Sequence, residues 1–302
     1  MPPFRLGTRG SPLALTQARM VADALCATHG WPADAIETVV IRTTGDRVQD
    51  RPLAEIGGKA LWTRELDRAM LDGDIDAAVH SMKDVETLRP RALAIAATLP
   101  RADVRDRLIG AESIDAIPQG ATVGTSSPRR RAQLLRLRSD LLIVPIRGNV
   151  DTRLAKLANG EVDATLLAAA GLDRLNRPEV GTAIPTDVML PAPAQGAVGI
   201  EVRADDGQAR ALVAAIDHRD THLCVLAERA LLAALGADCH SPVAALAGLA
   251  GDTLRLRASL IAEDGGDEVH GVAEGTGPEL GAELAADLLA RAPPSIRRLF
   301  QP

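Results

Sequence analysis

A lysine and an aspartate stand side by side where a predicted strand ends. Lys83 and Asp84 lie in the segment His80-Ser-Met-Lys-Asp-Val85, directly after the predicted strand Ile75–Val79. Ligands of open α/β sheets collect at the carboxyl ends of the strands, so an ammonium and a carboxylate there could bind an anion and move protons. The alternative is structural, with Asp84 capping a short helix and Lys83 a solvated charge. Taken alone, the pair favours that alternative.

Two similar segments each connect a predicted strand to the start of a predicted helix. They are Gly7-Thr-Arg-Gly-Ser-Pro12 and Gly124-Thr-Ser-Ser-Pro128, with serine at the N-cap and proline at the first helical position. Free N–H groups and the positive end of the helix dipole attract anions there. Either segment alone is more simply an ordinary helix start, but the two together favour an anion-binding cleft. The candidate residues are Arg9, Ser11, Thr125, Ser126, Ser127, Arg129 and Arg130.

Further arginines repeat this arrangement. Arg129-Arg130-Arg131 opens a helix at the end where the helix dipole disfavours cations. An anion bound by both the arginines and the helix N-terminus would explain their position. The alternative is that the three arginines lie on a solvated face of the helix, as basic triplets usually do. Arg147-Gly-Asn-Val-Asp-Thr-Arg153 again combines a strand end, a glycine and a helix start. Nucleic acid is the rival anion, but the net charge of −6 and the lack of a nucleic-acid-binding motif argue against it.

The three cysteines differ in their surroundings. Cys26 and Cys224 lie among apolar residues on predicted helices and are expected in the core, whereas Cys239 lies in the turn-rich segment Ala237-Asp-Cys-His-Ser-Pro242. An odd number of cysteines in a reducing compartment argues against disulfides. A loop thiol is a candidate for reactivity, although one such cysteine alone is more often inert.

A long polar segment from Thr43 to Lys59 separates a predicted strand from a helix, and loops of this kind are usually lids or binding loops. Gly58-Lys59-Ala60 is not a Walker A motif, and Trp62 is expected to face the core.

His218 and His222 have helical spacing but no third ligand, so we predict no metal site. The sequence contains no Gly-x-Ser-x-Gly motif for serine hydrolysis.

The order of predicted elements is typical of an α/β protein with a small α+β region at its end. The chain has 302 residues, of which 46% are hydrophobic and 25% charged, and no apolar run is long enough to span a membrane. The N-terminus lacks the pattern of a signal peptide, so we expect a cytoplasmic protein. Strands and helices alternate through the first two-thirds, Arg101–Arg107 is predicted as a linker, and a three-stranded meander follows His218.

Seven motifs, in order over nearly the whole chain, resemble those of the porphobilinogen deaminase (hydroxymethylbilane synthase) family. They are Thr8-Arg-Gly-Ser-Pro-Leu-Ala-Leu15, Gly57-Gly-Lys59, Val79-His-Ser-Met-Lys-Asp-Val85, Gly124-Thr-Ser-Ser127 with Arg129-Arg130, Arg147-Gly-Asn-Val150, Gln195-Gly-Ala-Val-Gly-Ile-Glu201 and Ala237-Asp-Cys-His-Ser-Pro242. The chain departs from the family pattern at Pro128, at Trp62 and at Ala237-Asp238.

The resemblance implies a transferase of tetrapyrrole biosynthesis. Four porphobilinogen molecules are condensed head to tail into a linear hydroxymethylbilane, and each addition releases ammonia. The implied fold has two domains like type II periplasmic binding proteins around a cleft and a small C-terminal α+β domain. The expected boundaries are residues 1–99 with 197–217, 100–196, and 218–302. A monomer without nucleic-acid or membrane partners is expected.

The resemblance also implies roles for individual residues. A covalent dipyrromethane cofactor, one per chain, is expected on Cys239 through a thioether, and Asp84 is the expected catalytic residue. Other expected cofactor contacts are Lys83, Asp84, Thr125, Ser126, Ser127, Arg129 and Arg130. Expected substrate contacts are Arg9, Ser11, Lys59, Arg147, Arg153 and Gln195.

A rival interpretation is a two-domain solute-binding or effector-sensing protein that closes on an acidic ligand without chemistry. It accounts for the two α/β units and for the cations. It does not account for Cys239, for Lys83 and Asp84 within their hexapeptide, or for the lack of a signal-peptide pattern. A covalent adduct and ammonia release would distinguish the enzyme from the binding protein.

Overall fold

A computed structural model describes residues 3–42 and 63–300. The chain divides into two compact units, Met1–Ala102 with Ala197–His222, and Asp103–Gly196 with Leu223–Pro302. The strands are β1 (Phe4–Arg9), β2 (Ile36–Ile41), β3 (Ala77–Ser81), β4 (Leu93–Thr98), β5 (Asp106–Ile109), β6 (Thr122–Gly124), β7 (Leu142–Val144), β8 (Ala164–Ala168), β9 (Thr182–Ala183), β10 (Val198–Arg203), β11 (Val243–Ala250), β12 (Thr253–Ile261) and β13 (Glu268–Gly275). The helices are α1 (Pro12–His29), α2 (Arg64–Leu71), α3 (Pro128–Leu137), α4 (Val150–Ala158), α5 (Ala169–Arg174), α6 (Gly207–Ala214), α7 (Arg219–Leu235), α8 (Leu280–Arg291) and α9 (Pro294–Arg297).

The first unit is built on a five-stranded sheet in the order β2-β1-β3-β10-β4. Strands β1, β2 and β3 run parallel, while β10 runs antiparallel to both of its neighbours. Helix α1 begins at the N-cap Ser11, with Pro12 at its first position, and ends at Gly30, whose φ of 65° suits glycine. Its buried residues Val21 and Leu25 pack with the core of this sheet.

The second unit contains a five-stranded sheet in the order β7-β6-β8-β5-β9. Strands β6, β7 and β8 are parallel, and β5 is antiparallel to β8 and β9. The predicted linker Arg101–Arg107 is therefore wrong at its end, because β5 begins at Asp106. The strand begins with two charged residues, Asp106 and Arg107, which resemble a loop in the sequence although both are buried.

The same unit contains the antiparallel meander β11-β12-β13, which packs with helices α7 and α8. Leu231 on α7, Leu256 on β12 and Leu288 on α8 are buried together in this core. The α/β class with a C-terminal α+β region is thus confirmed. The division of the second unit into two domains near residue 218 stays a prediction. Within residues 3–42 and 63–300, the helices are all too short or too polar to cross a membrane.

Candidate active site

Lys83 and Asp84 lie on a short 3-10 turn, Met82–Asp84, at the carboxyl end of the central strand β3. Met82 is buried, and its N–H donates to the carbonyl oxygen of Ala197 at 3.1 Å, just before β10. The N–H of Val85 closes the turn on Met82 O at 3.3 Å. The side chains of Lys83 and Asp84 are half-buried. Asp84 is thus the last residue of this turn, at the sheet end predicted from the sequence.

The turn borders a cavity that also contains the start of helix α1. Strands β1 and β3 are parallel neighbours, so their carboxyl ends lie at the same edge of the sheet. Strand β1 ends at Arg9, and the Oγ of the N-cap Ser11 accepts from Ala14 N at 3.3 Å. The cavity is lined by Arg9, Ser11, Leu13, Ala14, Gln17, Thr63, Val79, His80, Ser81, Asp84 and Val85. The structure therefore brings Arg9, Ser11 and Asp84 together.

Two lining residues that sequence reasoning missed tie α1 to the end of β3. The side-chain amide of Gln17 donates to Ser81 Oγ at 2.7 Å, and Ser81 Oγ donates back to Gln17 Oε1 at 3.1 Å. Gln17 is buried. Gln17 could have been found from the sequence, because it is a polar residue on the buried face of a helix that starts at the end of a strand.

A buried charged cluster lies next to this cavity. Arg89 donates to both carboxylate oxygens of Glu201 on β10, through Nε at 2.9 Å and Nη2 at 2.7 Å. His80 Nε2 lies 3.3 Å from Glu201 Oε2, close enough for an ion pair but without hydrogen-bond geometry. Burial alone would raise the pKa of Glu201, but His80 and Arg89 lower it to about 2. At Asp67 the effect of burial is larger than that of the contact with Arg89, so the pKa of the Asp67 carboxyl is raised.

In the second unit, the predicted hydroxyl residues form the end of β6 and the N-cap of α3. Ser127 Oγ accepts from Arg130 N at 3.4 Å, as expected of an N-cap. Ser126 Oγ donates to Ile146 O at 2.8 Å, and Thr125 Oγ1 accepts from Ser127 N at 3.2 Å. These bonds fix the conformation of the segment in front of the helix.

Arg129 and Arg130 are buried and both face the carboxylate of Asp106. Arg129 Nη2 donates to Asp106 Oδ2 at 2.7 Å, and Arg130 Nη2 to Asp106 Oδ1 at 2.7 Å. Gln195 Nε2 donates to the same Oδ1 at 2.9 Å. Burial alone would raise the pKa of Asp106, but the two guanidinium groups hold it well below its usual range. The anion that Arg129 and Arg130 contact is thus a carboxylate of the protein itself. Sequence reasoning missed Asp106 because it was assigned to a linker.

One carboxylate between two guanidinium groups leaves a net positive charge in this buried place. The Nε atoms of Arg129 and Arg130 are buried, and neither has a hydrogen-bond partner among the described residues. Buried N–H groups of this kind are normally satisfied, so these two lack an acceptor of the kind that a ligand carboxylate supplies.

Arg147 and Arg174 of this unit also have a buried nitrogen without a hydrogen-bond partner among the described residues. Arg147 Nη1 is buried without a hydrogen-bond partner in the described part of the chain. Arg153 Nε donates to Gly148 O at 3.0 Å, within the same strand-to-helix connection. Arg174, which sequence reasoning missed, donates from Nη2 to Gly196 O at 2.7 Å, while its Nε is buried and unpartnered within the described ranges. Burial lowers the pKa of Arg174.

Cys239 is exposed on the loop between α7 and β11. Asp238 organises this loop, since its Oδ1 accepts from His240 N at 2.8 Å and its N–H donates to Ser241 Oγ at 3.2 Å. Cys224 is buried, as expected of a core residue, whereas Cys26 is only half-buried and departs from that expectation. Cys239 is therefore the exposed thiol among the three.

Several predictions fall outside the described residues. These are Lys59 as a substrate contact, Trp62 as a core residue and the interpretation of the segment Thr43–Lys59 as a lid.

Comparisons with known proteins agree on one family. Residues 4–211 match the family described as "Porphobilinogen deaminase, dipyromethane cofactor binding domain", and residues 222–290 match "Porphobilinogen deaminase, C-terminal domain". The chain is 59% identical to the porphobilinogen deaminase of Sphingopyxis alaskensis over 304 residues, covering 99% of this chain and 96% of that protein. It is 53% identical to the one from Paracoccus denitrificans over 299 residues, covering 96% and 95%.

Among solved structures, a Salmonella typhimurium periplasmic binding protein with high arginine specificity is 14% identical. It superposes with a TM-score of 0.41 and covers 74% of this chain and 94% of that chain.

Proposed function

This chain belongs to the porphobilinogen deaminase family, and on that premise we propose that it is the transferase that condenses four porphobilinogen molecules into hydroxymethylbilane with release of ammonia. The observation that carries the proposal is the cavity at the carboxyl end of β3. There Asp84, a carboxylate suited to proton transfer, lies with Arg9 and the N-cap Ser11, which suit the carboxylates of an acidic substrate.

The residues of the second unit fit the dipyrromethane group of this family. The group consists of two pyrrole units that bear carboxylates, and buried guanidinium nitrogens of Arg147, Arg129 and Arg130 have no partner among the described residues. The exposed Cys239 is the thiol expected to hold the group through a thioether. When bound, the dipyrromethane supplies the pyrrole on which the product chain is extended. The proposal extends to Lys83, Thr125, Ser126 and Ser127 as further contacts of this group.

The cations have a physical purpose in this reaction. Every porphobilinogen has an acetate and a propionate side chain, so a growing product accumulates carboxylates that repel one another in a partly desolvated site. Arginine is suited to them because its planar fork binds carboxylates with two parallel hydrogen bonds. We assign substrate carboxylates to Arg9, Arg147 and Arg153. The roles of Ser11, Gln195 and Lys59 as substrate contacts stay predictions.

Asp84 is assigned two tasks at the end of β3. Loss of ammonia from porphobilinogen leaves a positive charge spread onto the pyrrole nitrogen, which a nearby carboxylate stabilises. At ~4 Å and an effective dielectric near 20, this attraction is worth about 4 kcal/mol. If it is realised only in the transition state, it contributes about three powers of ten in rate. The same carboxyl can give a proton to the leaving amine and take one from the pyrrole.

We further propose that the enzyme works as a monomer in the cytoplasm and needs neither nucleic acid nor a membrane. The net charge of −6 disfavours nonspecific binding to nucleic acid.

The test is the intact mass of the denatured protein, wild type beside Cys239→Ala. We expect a mass excess of two pyrrole units on the wild type and none on the variant. Cys26→Ala is the matched control, since it removes a half-buried thiol and should keep the excess. Incubation with porphobilinogen should increase the mass and release ammonia. An unmodified wild type that neither gains mass nor releases ammonia would overturn the proposal in favour of the binding-protein interpretation.

A further inference from the structure

We propose that Arg89 is a positioning residue for Asp84, because its guanidinium fastens the chain just after the catalytic turn to β10 and to the start of α2. The inference rests on the proposed function of Asp84. Arg89 lies five residues after Asp84, and residues 85–90 belong to neither a helix nor a strand. The position of the turn therefore depends on side-chain contacts as well as on its bonds to the sheet.

All five N–H donors of Arg89 are used. Nε donates to Glu201 Oε1 at 2.9 Å, and Nη2 is shared between Glu201 Oε2 at 2.7 Å and a carboxylate oxygen of Asp67. Nη1 donates to Glu86 Oε2 at 2.7 Å and to Thr63 Oγ1 at 3.2 Å. A planar fork with five donors is specific to arginine, and lysine cannot reproduce it.

The partners of Arg89 come from three separate parts of the first unit. Glu201 lies on β10, Asp67 lies on α2, and Glu86 belongs to the segment that follows Asp84. Thr63 closes the arrangement, since its Oγ1 donates to Glu86 Oε2 at 2.7 Å. One side chain thus joins the sheet, the helix and the catalytic segment.

The cluster borders the cavity that contains Asp84. Thr63 and His80 belong to both, since each lines the cavity, Thr63 also contacts Arg89, and His80 also contacts Glu201. On the other side of Asp84, the turn is held by the bond from Met82 N to Ala197 O. Asp84 therefore lies between two anchors, one formed by backbone and one by Arg89.

Arg89 is also the cation of this cluster that is charged at every relevant pH. It faces the carboxylates of Asp67, Glu86 and Glu201, and its side chain is 9% exposed. Without it, these carboxylates would repel one another in a poorly solvated place. The segment from Asp84 to Arg89 would then shift outward to solvate Glu86, and a displacement of this kind in a catalytic group lowers the rate more than substrate binding.

The experiment compares Arg89→Lys and Arg89→Gln with the wild-type holoenzyme. We expect kcat to fall about 10-fold in Arg89→Lys and about 100-fold in Arg89→Gln, with KM for porphobilinogen within about threefold of wild type. The mass excess on Cys239 should persist in both variants. Arg89→Lys keeps a charge in the cluster, so it supplies the measurement if Arg89→Gln does not fold.

Two further variants separate positioning from stability. Arg5→Gln removes a more exposed arginine–aspartate pair, with Arg5 Nη2 2.6 Å from Asp76 Oδ1, at the opposite end of β1 and β3. We expect it to lower the unfolding midpoint and to leave kcat within about twofold of wild type. The double variant Arg89→Gln/Glu201→Gln removes one uncompensated carboxylate, and should recover stability relative to Arg89→Gln without recovering kcat.

The outcomes are distinguishable from those that concern the proposed function. A kcat within about twofold of wild type in both Arg89 variants, whatever their stability, would overturn the positioning role. A kcat that recovers together with stability in the double variant would overturn it as well, since the effect would then be one of folding. A wild type without adduct or ammonia release would instead refute the proposed function itself.

Discussion

The side chain of Met82 fills the space above the α carbon of Gly199. A β carbon on Gly199 would collide with Met82 Sδ and lie 2.8 Å from its Cγ. Met82 is the first residue of the turn that carries Lys83 and Asp84, and Gly199 lies on the neighbouring strand β10. The absence of a side chain at position 199 therefore sets how closely the turn that carries Asp84 lies against the sheet.

Gly199→Ala should consequently disturb the turn. Met82 is buried and cannot move into solvent without leaving a cavity, so we expect a loss of about 1–3 kcal/mol in the free energy of unfolding and a lower kcat. Urea unfolding and steady-state kinetics measure the two effects. Gly207→Ala is the control, because beyond its chain neighbours and its own helix backbone nothing lies within 4 Å of a β carbon there, so it should leave kcat unchanged and should not lower the free energy of unfolding. Unchanged kinetics in Gly199→Ala would contradict this account of the turn.

Asp84→Asn should fold normally and lose most turnover. The amide keeps the size of the carboxyl but has no negative charge and cannot accept a proton, so we expect a fall in kcat of about three powers of ten. The rate of ammonia release from porphobilinogen measures it. Asp72→Asn, an exposed aspartate that pairs with Arg68 on α2, should retain wild-type turnover. Substantial turnover in Asp84→Asn would remove Asp84 from the mechanism.

Asp106→Asn should destabilise the second unit strongly. It leaves Arg129 and Arg130 buried without their carboxylate, and breaking a buried pair from one side costs about 3–5 kcal/mol. Asp140→Asn removes the partner of Arg138 at the other end of α3, where both side chains are more exposed, and should cost much less. Urea unfolding compares the two variants, and equal losses would show that the Asp106 cluster is no more than a surface pair.

Glu201 should contribute to the acid sensitivity of the first unit. Its pKa is about 2, below the ordinary 4.5, so its ionised form stabilises the fold above about pH 4.5 and this contribution is lost as the pH falls toward 2. A shift of this size corresponds to on the order of 3 kcal/mol. Asp67 acts in the opposite direction, because its raised pKa favours the folded state at low pH and that contribution is lost as the pH rises.

Urea unfolding of wild type and Glu201→Gln between pH 7 and 3 tests this assignment. The wild type should lose stability more steeply with acidification, so the two curves should converge at low pH. Curves that stay parallel throughout would show that Glu201 has no such role.

The helices and strands with clear periodicity could be predicted from the sequence. Helix α1 begins at the predicted Pro12 and ends one residue later than expected, because serine, proline and glycine mark its two ends. Strand β5 could not be predicted in this way. Its first residues, Asp106 and Arg107, are charged and buried, and partners distant in the chain, among them Arg129, Arg130 and Asp173, make that burial tolerable.

The candidate site shows the same division. Asp84, Arg9 and Cys239 belong to motifs with recognisable neighbours, so their types and positions pointed to chemistry. Arg89 has no such motif, and it becomes informative only when Glu201, more than a hundred residues away in the chain, is paired with it. Contacts between residues so far apart in the chain depend on the order of strands in the sheet, and the residue pattern of a single sequence does not specify that order.

The insertion of β10 between β3 and β4 has a consequence for how the protein is made. Roughly a hundred residues separate β4 from β10, so at the usual pace of translation a ribosome needs roughly 5 to 20 s to supply the missing strand. During that interval β3 has an open edge where β10 will pair, and open edges promote aggregation. The nascent chain therefore passes through an interval in the middle of its synthesis in which this edge is open to pairing with other chains.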